Sequence, residues 1–462
     1  MTPTFADPTV PSRALHVVSA DDLAAWLADQ PVPWQAWLAG QMFDAKLGDT
    51  RLLPGPDGAI LAAVVGFGTA KARARSRFGL ARAWAALPAG NWHLAGRLTQ
   101  SEYEEAALGA LLAQYRFDRY RPSKPSPGLA LLRAPDGCDA ARLIAMATGE
   151  FLTRDLINTP SSDMGPADLE TSFLALANQF SATTEVIAGD DLLAQNFPMI
   201  HAVGRASSRA PRILSLRWGS TGPRLTLVGK GVCFDTGGLD IKPSTGMVLM
   251  KKDMGGAATV MGLAHMIMAL NLPLQLRVIV PAVENSISGN AMRPSDILTS
   301  RKGLTVEINN TDAEGRLILA DALAWADEDA PDVVISMATL TGAARVAVGP
   351  DLAPFYTDDD AFAAALSAAA PGACDPVWRL PFWDPYEPMI EPQIADLDNA
   401  PAGGFAGSIT AALFLRRFVS CPRYMHFDIY GHSPADAPAR PKGGVGQGAR
   451  ALLAALPKVL GL

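Results

Sequence analysis

Four carboxylates and several cations are concentrated in one stretch of the chain, residues 228–317. Three motifs hold them: VGKGVCFDTGGLDIKP at 228–243, MKKDMGGAA at 250–258 and NTDAEGRL at 310–317. The carboxylates are Asp235, Asp253, Asp312 and Glu314. Because carboxylate oxygens suit hard divalent cations, this stretch predicts a metal site. One ion usually needs fewer ligands than this, which indicates two ions that share them.

A helix start is the alternative interpretation of the third motif. Asp312 could cap a helix that begins near Gly315, with Glu314 favoured at the positive end of the helix dipole. Asp235 and Asp253 occupy similar positions, at the ends of predicted strands or the starts of predicted helices. Their presence favours metal binding over capping.

Lys230 is an unusual neighbour for a metal, because an ammonium group repels a cation. As a neutral amine it is a nitrogen ligand, and an adjacent divalent metal lowers the pKa of a lysine towards that state. A structural ion pair with Asp235 is the alternative. The chain's 6 histidines are dispersed and form no HExxH motif, which excludes a one-zinc peptidase of that type.

Two further cations suit a hydrolytic reaction. Two metals bridged by carboxylates lower the pKa of a bound water towards about 7 and hold both the nucleophile and the substrate oxygen. Lys242 is then a candidate to stabilise an oxyanion, and Arg316 to hold an anion or a substrate carboxylate. A surface salt bridge is the alternative for either cation taken alone.

Alternating helices and strands position these groups from about residue 166 onward. We expect helices at 166–180, 255–270 and 317–329, and strands at 184–187, 212–217, 225–228, 274–283, 304–308 and 333–337. This order predicts a largely parallel sheet with helices on both faces. Lys230, Asp312 and Thr339 all follow predicted strands, where sheets of this kind place their sites.

A chain of 462 residues is long for one domain. Residues 1–138 predict a small α/β domain with strands at 59–66 and 129–133 and a helix over 70–86. Residues 139–165 predict a linking helix and loop, since a helical pattern there runs into a segment with two prolines. Residues 166–462 form the predicted catalytic domain.

Composition limits the classes of function. Apolar residues make up 49% of the chain and charged residues 18%, which supports large cores and excludes disorder. A net charge of −7 argues against a nucleic-acid partner. Four scattered cysteines indicate a reducing compartment. We find no signal-peptide pattern and no membrane-span pattern, so we expect a soluble cytoplasmic protein.

The three motifs closely resemble those of the leucyl aminopeptidase family, the cytosolic two-metal aminopeptidases. NTDAEGRL is the signature octapeptide of that family. The resemblance extends from about Arg154 through ATLTGA at 338–343, ADLDN at 395–399 and HFDIYG at 426–431. It implies a three-layer α/β/α catalytic domain with a mixed, largely parallel sheet, preceded by a smaller, macro-like α/β domain.

The resemblance also implies a metal-ligand set. One metal would be held by Asp235, Asp312 and Glu314. The other would be held by Lys230, Asp235, Asp253 and Glu314, so that Asp235 and Glu314 bridge the two ions. Zinc, manganese and magnesium are the metals of the family.

Roles for the remaining residues follow from the same resemblance. Arg316 would bind a bicarbonate that acts as general base, with a backbone contact from Leu340, and Lys242 would polarise the scissile carbonyl. The implied substrate-binding residues are Met250, Asn310, Thr339, Leu340 and Gly342. Of these, Met250, Thr339 and Gly342 would shape the pocket for the first side chain.

The resemblance implies an aminopeptidase that releases Leu-like or Met-like residues from peptides with a free N-terminus. It also implies a cytoplasmic homohexamer. Three alternatives remain open: a DNA-binding or regulatory protein, a catalytically silent scaffold, and a two-metal phosphoesterase.

Three positions depart from the family pattern. Asp240 stands where Ser is usual, Lys252 where Tyr or Cys is common, and Tyr430 where Ala is usual. None of them is a predicted ligand. We therefore expect the metal site to be retained, and the charge near Lys242 and the substrate preference to differ.

Overall fold

The computed structural model of the protein describes residues 2–121 and 128–462. The chain divides into two compact units. The first unit ends at Phe151 and also takes in Ala435–Lys442, and the second comprises Leu152–Pro434 and Gly443–Leu462. The domain boundaries expected at 138 and 165 stay a prediction.

The first unit is the small α/β unit that the sequence predicts. Its elements are β1 (Arg13–Ser19), α1 (Leu23–Ala28), α2 (Val32–Gly40), β2 (Thr50–Pro54), β3 (Ile60–Gly68), α3 (Ala70–Arg73), a 3₁₀ helix (Gly79–Ala85), β4 (Gly90–Ala95), α4 (Gln100–Leu112) and β5 (Ala130–Leu132). Its described residues form a five-stranded sheet in the order β2-β3-β1-β4-β5. β1 lies parallel to β3 and β4, whereas β2 lies antiparallel to β3.

The prediction of one helix over 70–86 is wrong. The segment forms α3 and then, after a break, the 3₁₀ helix. Phe78, just before the second helix, has a φ of 56°, in the left-handed region through which an α-helix cannot continue. Its backbone N–H donates to Glu105, a contact that helical periodicity does not reveal.

A long helix, α5 (Ala140–Asn158), runs across the division between the units. The elements that follow are α6 (Pro166–Gln179), β6 (Thr183–Ala188), α7 (Asp191–Ala194), α8 (Pro198–Gly204), β7 (Arg212–Trp218), β8 (Arg224–Gly229), β9 (Gly231–Asp235), α9 (Ser244–Met247), a 3₁₀ helix (Met250–Met254), α10 (Gly255–Ala269), β10 (Gln275–Asn285), β11 (Ile297–Thr299), β12 (Thr305–Glu307), α11 (Glu314–Asp327), β13 (Val333–Ala338), α12 (Gly342–Val348), β14 (Ala353–Thr357), α13 (Asp360–Ala369), β15 (Val377–Arg379), a 3₁₀ helix (Asp384–Ile390), β16 (Leu397–Asp398), α14 (Gly407–Arg416), β17 (Tyr424–Asp428), β18 (His432–Ser433), β19 (Gly443–Gly444) and α15 (Ala449–Leu460).

The second unit is built on a mixed sheet that is parallel at its centre. The strand order is β15-β14-β17-β13-β8-β10-β7-β6, and β9 also pairs with β10. β17, β13, β8 and β10 run parallel, whereas β14 and β7 run antiparallel to their inner neighbours. α10 packs with α6 and α15, and α11 packs with α8 and α14. The predicted three-layer α/β/α architecture is confirmed.

Small residues bring α10 onto the ends of the central strands. Every residue from Gly255 to Met268 is buried. A Cβ atom on Gly256 would lie 2.1 Å from the carbonyl oxygen of Met337, so only glycine allows this approach. The apolar surface of α10 therefore faces the core. Among the helices described here, none has the length and hydropathy needed to cross a membrane.

β12 does not belong to the main sheet. It pairs with β11 and β16 in a separate three-stranded sheet. Asp312 therefore reaches the site from a small accessory sheet, and not from the parallel sheet that the sequence predicts. The connecting loop is held by Asn399, whose side-chain oxygen accepts the N–H groups of Asn309 and Asn310 at 2.9 and 3.2 Å.

Candidate active site

Lys230 is the single residue between β8 and β9. Its N–H donates to the carbonyl of Met337 at 3.0 Å, and its carbonyl accepts the N–H of Ala257 at 2.9 Å. The backbone is thus fixed between β13 and the first turn of α10. Gly315 makes room for the side chain, because a Cβ there would lie 2.5 Å from Lys230 Cε.

The buried ammonium of Lys230 lies among carboxylates. Its Nζ is 2.7 Å from Asp253 Oδ2 and 2.9 Å from Glu314 Oε1, and it donates to the carbonyl of Thr339 at 3.1 Å. Burial opposes its charge, but the charges of Asp253, Glu314 and Asp235 outweigh burial and raise the pKa of Lys230. In the metal-free protein Lys230 is therefore a cation, and a metal must displace its proton before the nitrogen can act as a ligand.

Asp235 ends β9 and is held from both sides. Its Oδ1 accepts the N–H of Gly237 at 2.8 Å and the side-chain amide of Asn285 at 2.9 Å. Its Oδ2 lies 2.9 Å from Lys242 Nζ, which also forms an ion pair with Asp312. Burial opposes the charge on Lys242, but the two carboxylates prevail and raise its pKa.

Asp312 does not cap α11. The residue at the N-cap position is Ala313, and no side chain caps that helix. Asp312 is instead held by its own N–H, which donates to the side-chain oxygen of Asn310 at 2.7 Å. Burial and the charge of Asp235 raise the pKa of Asp312 to about 6, against the opposing effect of Lys242. The capping interpretation is therefore wrong for this residue.

Glu314 opens α11 and is 1% exposed. Its Oε1 contacts Lys230 without hydrogen-bond geometry, and its Oε2 has neither a hydrogen bond nor an ion pair in the described chain. Burial and the charge of Asp235 raise the pKa of Glu314 well above its usual range. A buried carboxylate oxygen without a partner is costly unless a cation binds it.

These side chains form a carboxylate cluster, which we define as Asp235, Asp253, Asp312 and Glu314. One oxygen from each of Asp235, Asp312 and Glu314 lies within 4.8 Å of the others. Among the described residues, two ammonium groups lie within ion-pair distance of these four carboxyl groups, those of Lys230 and Lys242. Oxygen donors at this spacing with excess negative charge fit a divalent cation.

Asp253 joins the cluster from the 3₁₀ helix before α10. The hydroxyl of Thr339 donates to the carbonyl oxygen of Asp253 at 2.9 Å and to its Oδ1 at 2.8 Å. Burial disfavours the charge of Asp253, but Lys230 and Lys252 overcome this and lower its pKa. Thr339 thus fixes Asp253 to the end of β13.

Arg316 lies one turn into α11 and is 9% exposed. Its guanidinium donates to the carbonyl of Asn399. In the described chain no carboxylate lies within ion-pair distance of it. Burial lowers the pKa of Arg316 to about 10, a cost that Asp428 and Glu314 only partly offset. A buried guanidinium with donors to spare is suited to an anion.

The other predicted substrate residues lie on the same segments. Met250 is half-buried at the start of the 3₁₀ helix, and Gly342 is exposed at the start of α12. Asn310 carries the side-chain oxygen that holds Asp312. The N–H of Leu340 donates to Asp428 Oδ1 at 3.2 Å, so a protein group already uses it.

Asn285 and Asp428 are important positioning residues that sequence reasoning did not identify. Asn285 donates to Asp235 Oδ1 at 2.9 Å and to the carbonyl of Thr311 at 3.1 Å, which ties two ligand-bearing loops together. The sequence feature that could have identified Asn285 is a polar residue at the end of an apolar run. Asp428 lies in the quoted HFDIYG motif and accepts the N–H groups of Leu340 and Thr341.

The carboxylate of Asp240 faces Thr311. Its Oδ2 accepts the N–H of Thr311 at 2.7 Å, and the N–H of Asp240 donates to Thr311 Oγ1 at 2.8 Å. In the residues that the structure covers, Asp240 and Lys242 form no ion pair. Asp240 therefore joins the loop after β9 to the loop before α11.

The fold and the carboxylate cluster together define a metal-dependent hydrolase of the α/β/α type. A profile of the cytosol aminopeptidase family, catalytic domain, matches residues 151–453, and one of the M17 aminopeptidase N-terminal domain matches residues 13–135. A protein of Roseiflexus castenholzii named probable cytosol aminopeptidase is 42% identical over 365 residues, 75% of each chain.

Solved structures agree with these matches. The cytosol aminopeptidase of Coxiella burnetii has a TM-score of 0.92 at 42% identity and covers 98% of both chains. The bottromycin maturation enzyme BotP in complex with Mn has a TM-score of 0.86 at 31% identity, over 97% of this chain and 100% of that one. The chain belongs to the cytosol aminopeptidase family and is a metal-dependent aminopeptidase that acts on peptides.

Proposed function

We propose that the protein removes the first residue of peptides with two divalent ions, manganese, zinc or magnesium. The ligands would be Asp235, Asp312 and Glu314 for one ion, and Lys230, Asp235, Asp253 and Glu314 for the other. Asp235 and Glu314 would be shared. Glu314 Oε2 carries this proposal, because it is a fully enclosed carboxylate oxygen without a partner beside two other carboxylates.

Two such ions would supply a water with a pKa near 7 and a polarised scissile carbonyl. The chain's own residues complete the reaction. Lys242, released from Asp235 and Asp312 when they become ligands, stabilises the oxyanion. Arg316, whose guanidinium has no carboxylate partner among the described residues, holds the bicarbonate that the family resemblance implies as general base. The implied backbone contact of Leu340 would require its N–H to be shared between the bicarbonate and Asp428 Oδ1.

The substrate would bind through its free α-amine at the metal site, which limits cleavage to the first residue. Met250, Thr339 and Gly342 would shape the pocket for the first side chain, and Asn310 would contact the substrate nearby. The family resemblance implies Leu-like and Met-like residues in that pocket. Thr339 supports this location, since its hydroxyl contacts the proposed ligand Asp253.

We also propose a cytoplasmic homohexamer. The hexamer rests on the family resemblance alone, and the cytoplasmic location rests also on the names of the relatives. Mass photometry of the purified protein tests it directly, because a hexamer of a 48.7 kDa chain is clearly separated from a monomer or a dimer.

The test of the activity is hydrolysis of leucine p-nitroanilide by metal-stripped protein, before and after manganese or zinc is restored. Glu314→Ala is measured alongside. Glu328→Ala is the matched control, because Glu328 is an exposed residue at the other end of α11. We expect metal-restored turnover in the wild type and the control, and none in Glu314→Ala.

A folded protein that hydrolyses no peptide or anilide with any metal would overturn the proposal. Turnover of a phosphate ester in its place would favour the phosphoesterase alternative. Equal activity of Glu314→Ala and the wild type would remove Glu314 from the ligand set.

A further inference from the structure

Lys252 differs from the other lysines of its neighbourhood. It is 6% exposed, yet no hydrogen-bond acceptor or carboxylate among the described residues lies within bonding distance of its ammonium. Lys230 and Lys242 are paired with carboxylates, and Lys251 donates to the carbonyl of Asn158 at 2.6 Å. The ammonium of Lys252 has no hydrogen-bond partner but is not fully enclosed, so a ligand can reach it.

An aromatic ring and a second cation lie beside it. Lys252 Nζ is 4.9 Å from the centre of the Tyr430 ring, and the guanidinium carbon of Arg345 is 5.1 Å from the same centre. Within the described chain the Arg345 guanidinium also has no carboxylate or carbonyl partner. We call Lys252, Tyr430 and Arg345 the cation–aromatic cluster. Two of its members depart from the family pattern, and here they are in contact.

This cluster lies on the three segments that carry the proposed pocket for the first side chain. Lys252 follows Met250 by two residues in the same 3₁₀ helix. Arg345 follows Gly342 by three residues on α12, a spacing that places both on one side of the helix. Tyr430 precedes Gly431, where a Cβ would lie 3.3 Å from Thr339 Cγ2.

No carboxylate of the described residues lies within ion-pair distance of either cation in the cluster, and Asp253 acts on Lys252 only through its charge, from a greater distance. Two cations beside one ring repel each other, and the ring face compensates them only in part. The ring also offers no oxygen acceptor for the N–H groups of the nearly buried Lys252 ammonium, which is unfavourable. A carboxylate resolves both problems, since it supplies acceptor oxygens and neutralises charge. A neutral amide supplies only the acceptor, and an aliphatic side chain supplies neither.

We propose that Lys252, Tyr430 and Arg345 form a cationic wall of the pocket for the first side chain, so that the protein favours peptides that begin with Glu or Asp. This inference rests on the proposed aminopeptidase function and names the substrate class of that same site. Lys252 supplies the charge, Tyr430 orients it, and Arg345 adds a second cation at the exposed side.

The test compares substrates that differ only in charge. Metal-loaded protein is assayed at pH 7 with Glu-Ala against Gln-Ala, and with Asp-Ala against Asn-Ala. We expect a higher kcat/KM for the acidic member of each pair. Lys252→Met, which keeps the side chain's length and removes its charge, should lower the Glu/Gln ratio by about tenfold to hundredfold.

Lys251→Met is the matched control, because it removes a neighbouring lysine whose ammonium is already bound by a carbonyl. We expect its Glu/Gln ratio to equal that of the wild type. Arg345→Gln is a second variant on the surface, where a folding defect is not expected, and it should lower the ratio by about twofold to fivefold.

The possible outcomes separate this inference from the function on which it rests. Equal kcat/KM for Glu-Ala and Gln-Ala, or a Glu/Gln ratio that Lys252→Met leaves unchanged, would overturn the inference alone. A preference for Leu-Ala or Gly-Ala over Glu-Ala would do the same. Failure to cleave any of these peptides would overturn the aminopeptidase function as well.

Discussion

The carboxylate cluster and the cation–aromatic cluster are neighbours with opposite charge balance. Asp253 belongs to the first and Lys252, the preceding residue, to the second. In the carboxylate cluster four acids face two lysines, and Glu314 keeps an oxygen without a partner. In the cation–aromatic cluster two cations share one ring, and no carboxylate of the described chain lies within ion-pair distance of either.

A local charge imbalance in a protein indicates the sign of the ligand that the site binds. Protein interiors rarely retain a buried charge that nothing compensates. The carboxylate cluster therefore calls for cations and the cation–aromatic cluster for an anion. Divalent metals would meet the first need, and the acidic first side chain of a substrate would meet the second.

Among the variants of the two clusters, we expect Glu314→Gln to cause the largest loss of activity. Changing even an outer contact of a metal site costs about tenfold to hundredfold, so loss of a shared ligand should lower kcat/KM by roughly a thousandfold or more. The same variant should raise the unfolding free energy of the metal-free protein by about 1 kcal/mol, because it replaces a buried carboxyl group whose oxygens have no hydrogen-bond donors by a neutral amide. Activity assays and urea unfolding in chelator measure the two effects.

We expect activity and metal-free stability to change in opposite directions in this variant. A Glu314→Gln protein that loses both activity and metal-free stability would mean that Glu314 is a structural partner of Lys230. This result would contradict the interpretation that Glu314 lacks a stabilising partner until a metal binds.

Lys242→Met should have the second-largest effect. Loss of one group that stabilises an oxyanion costs about a hundredfold in kcat. Manganese affinity, measured by isothermal titration calorimetry, should stay equal or rise, because Asp235 and Asp312 lose a competing ammonium. Lys302→Met, at an exposed lysine, is the control. Weaker manganese binding in Lys242→Met would contradict this role.

Asp321 is a buried carboxyl group outside both clusters, and its hydrogen-bond donors are backbone N–H groups. It accepts the N–H of Met199 at 2.8 Å, of Ile200 at 3.3 Å and of Arg301 at 2.8 Å. Burial nevertheless raises its pKa to about 7 from 3.8. Between these values the folded state keeps a proton that the unfolded state has lost, so stability falls as pH rises.

The measurement is urea unfolding of wild type and Asp321→Asn in chelator at several pH values from 4.5 to 7. The wild-type unfolding free energy should fall with pH more steeply than that of the variant, by up to about 1.4 kcal/mol per pH unit. Parallel curves would show that Asp321 stays ionised in the folded protein.

Asp240→Ala should have the smallest effect. It removes the acceptor for the N–H of Thr311 and should lower the unfolding free energy by about 1 kcal/mol and kcat by a few-fold. Asp240→Asn, which keeps an acceptor oxygen, should lose less of both. If Asp240→Asn and Asp240→Ala are equally impaired, the charge of Asp240 matters and the hydrogen bond does not.

Sequence patterns predicted most strands and helices of the catalytic unit within a few residues. The exceptions have physical causes. A left-handed Phe78 divides a stretch that is helical in composition, and β12 pairs outside the main sheet because its partner, β16, comes much later in the chain. Hydrophobic periodicity reports burial along an element, and it carries no information on which distant strand becomes the neighbour.

The family, the order of strands and helices, and the candidate ligands could be predicted from the sequence, because residue types at the ends of apolar runs are local properties. The hydrogen-bond and ion-pair partners of the charged groups could not be predicted, because they depend on the tertiary structure. The register of β9 against β10 puts Asn285 beside Asp235, and the fold brings Lys252 to the Tyr430 ring, with no carboxylate of the described chain within ion-pair distance. Such partners come from distant segments, so only folding sets the charge balance of each cluster.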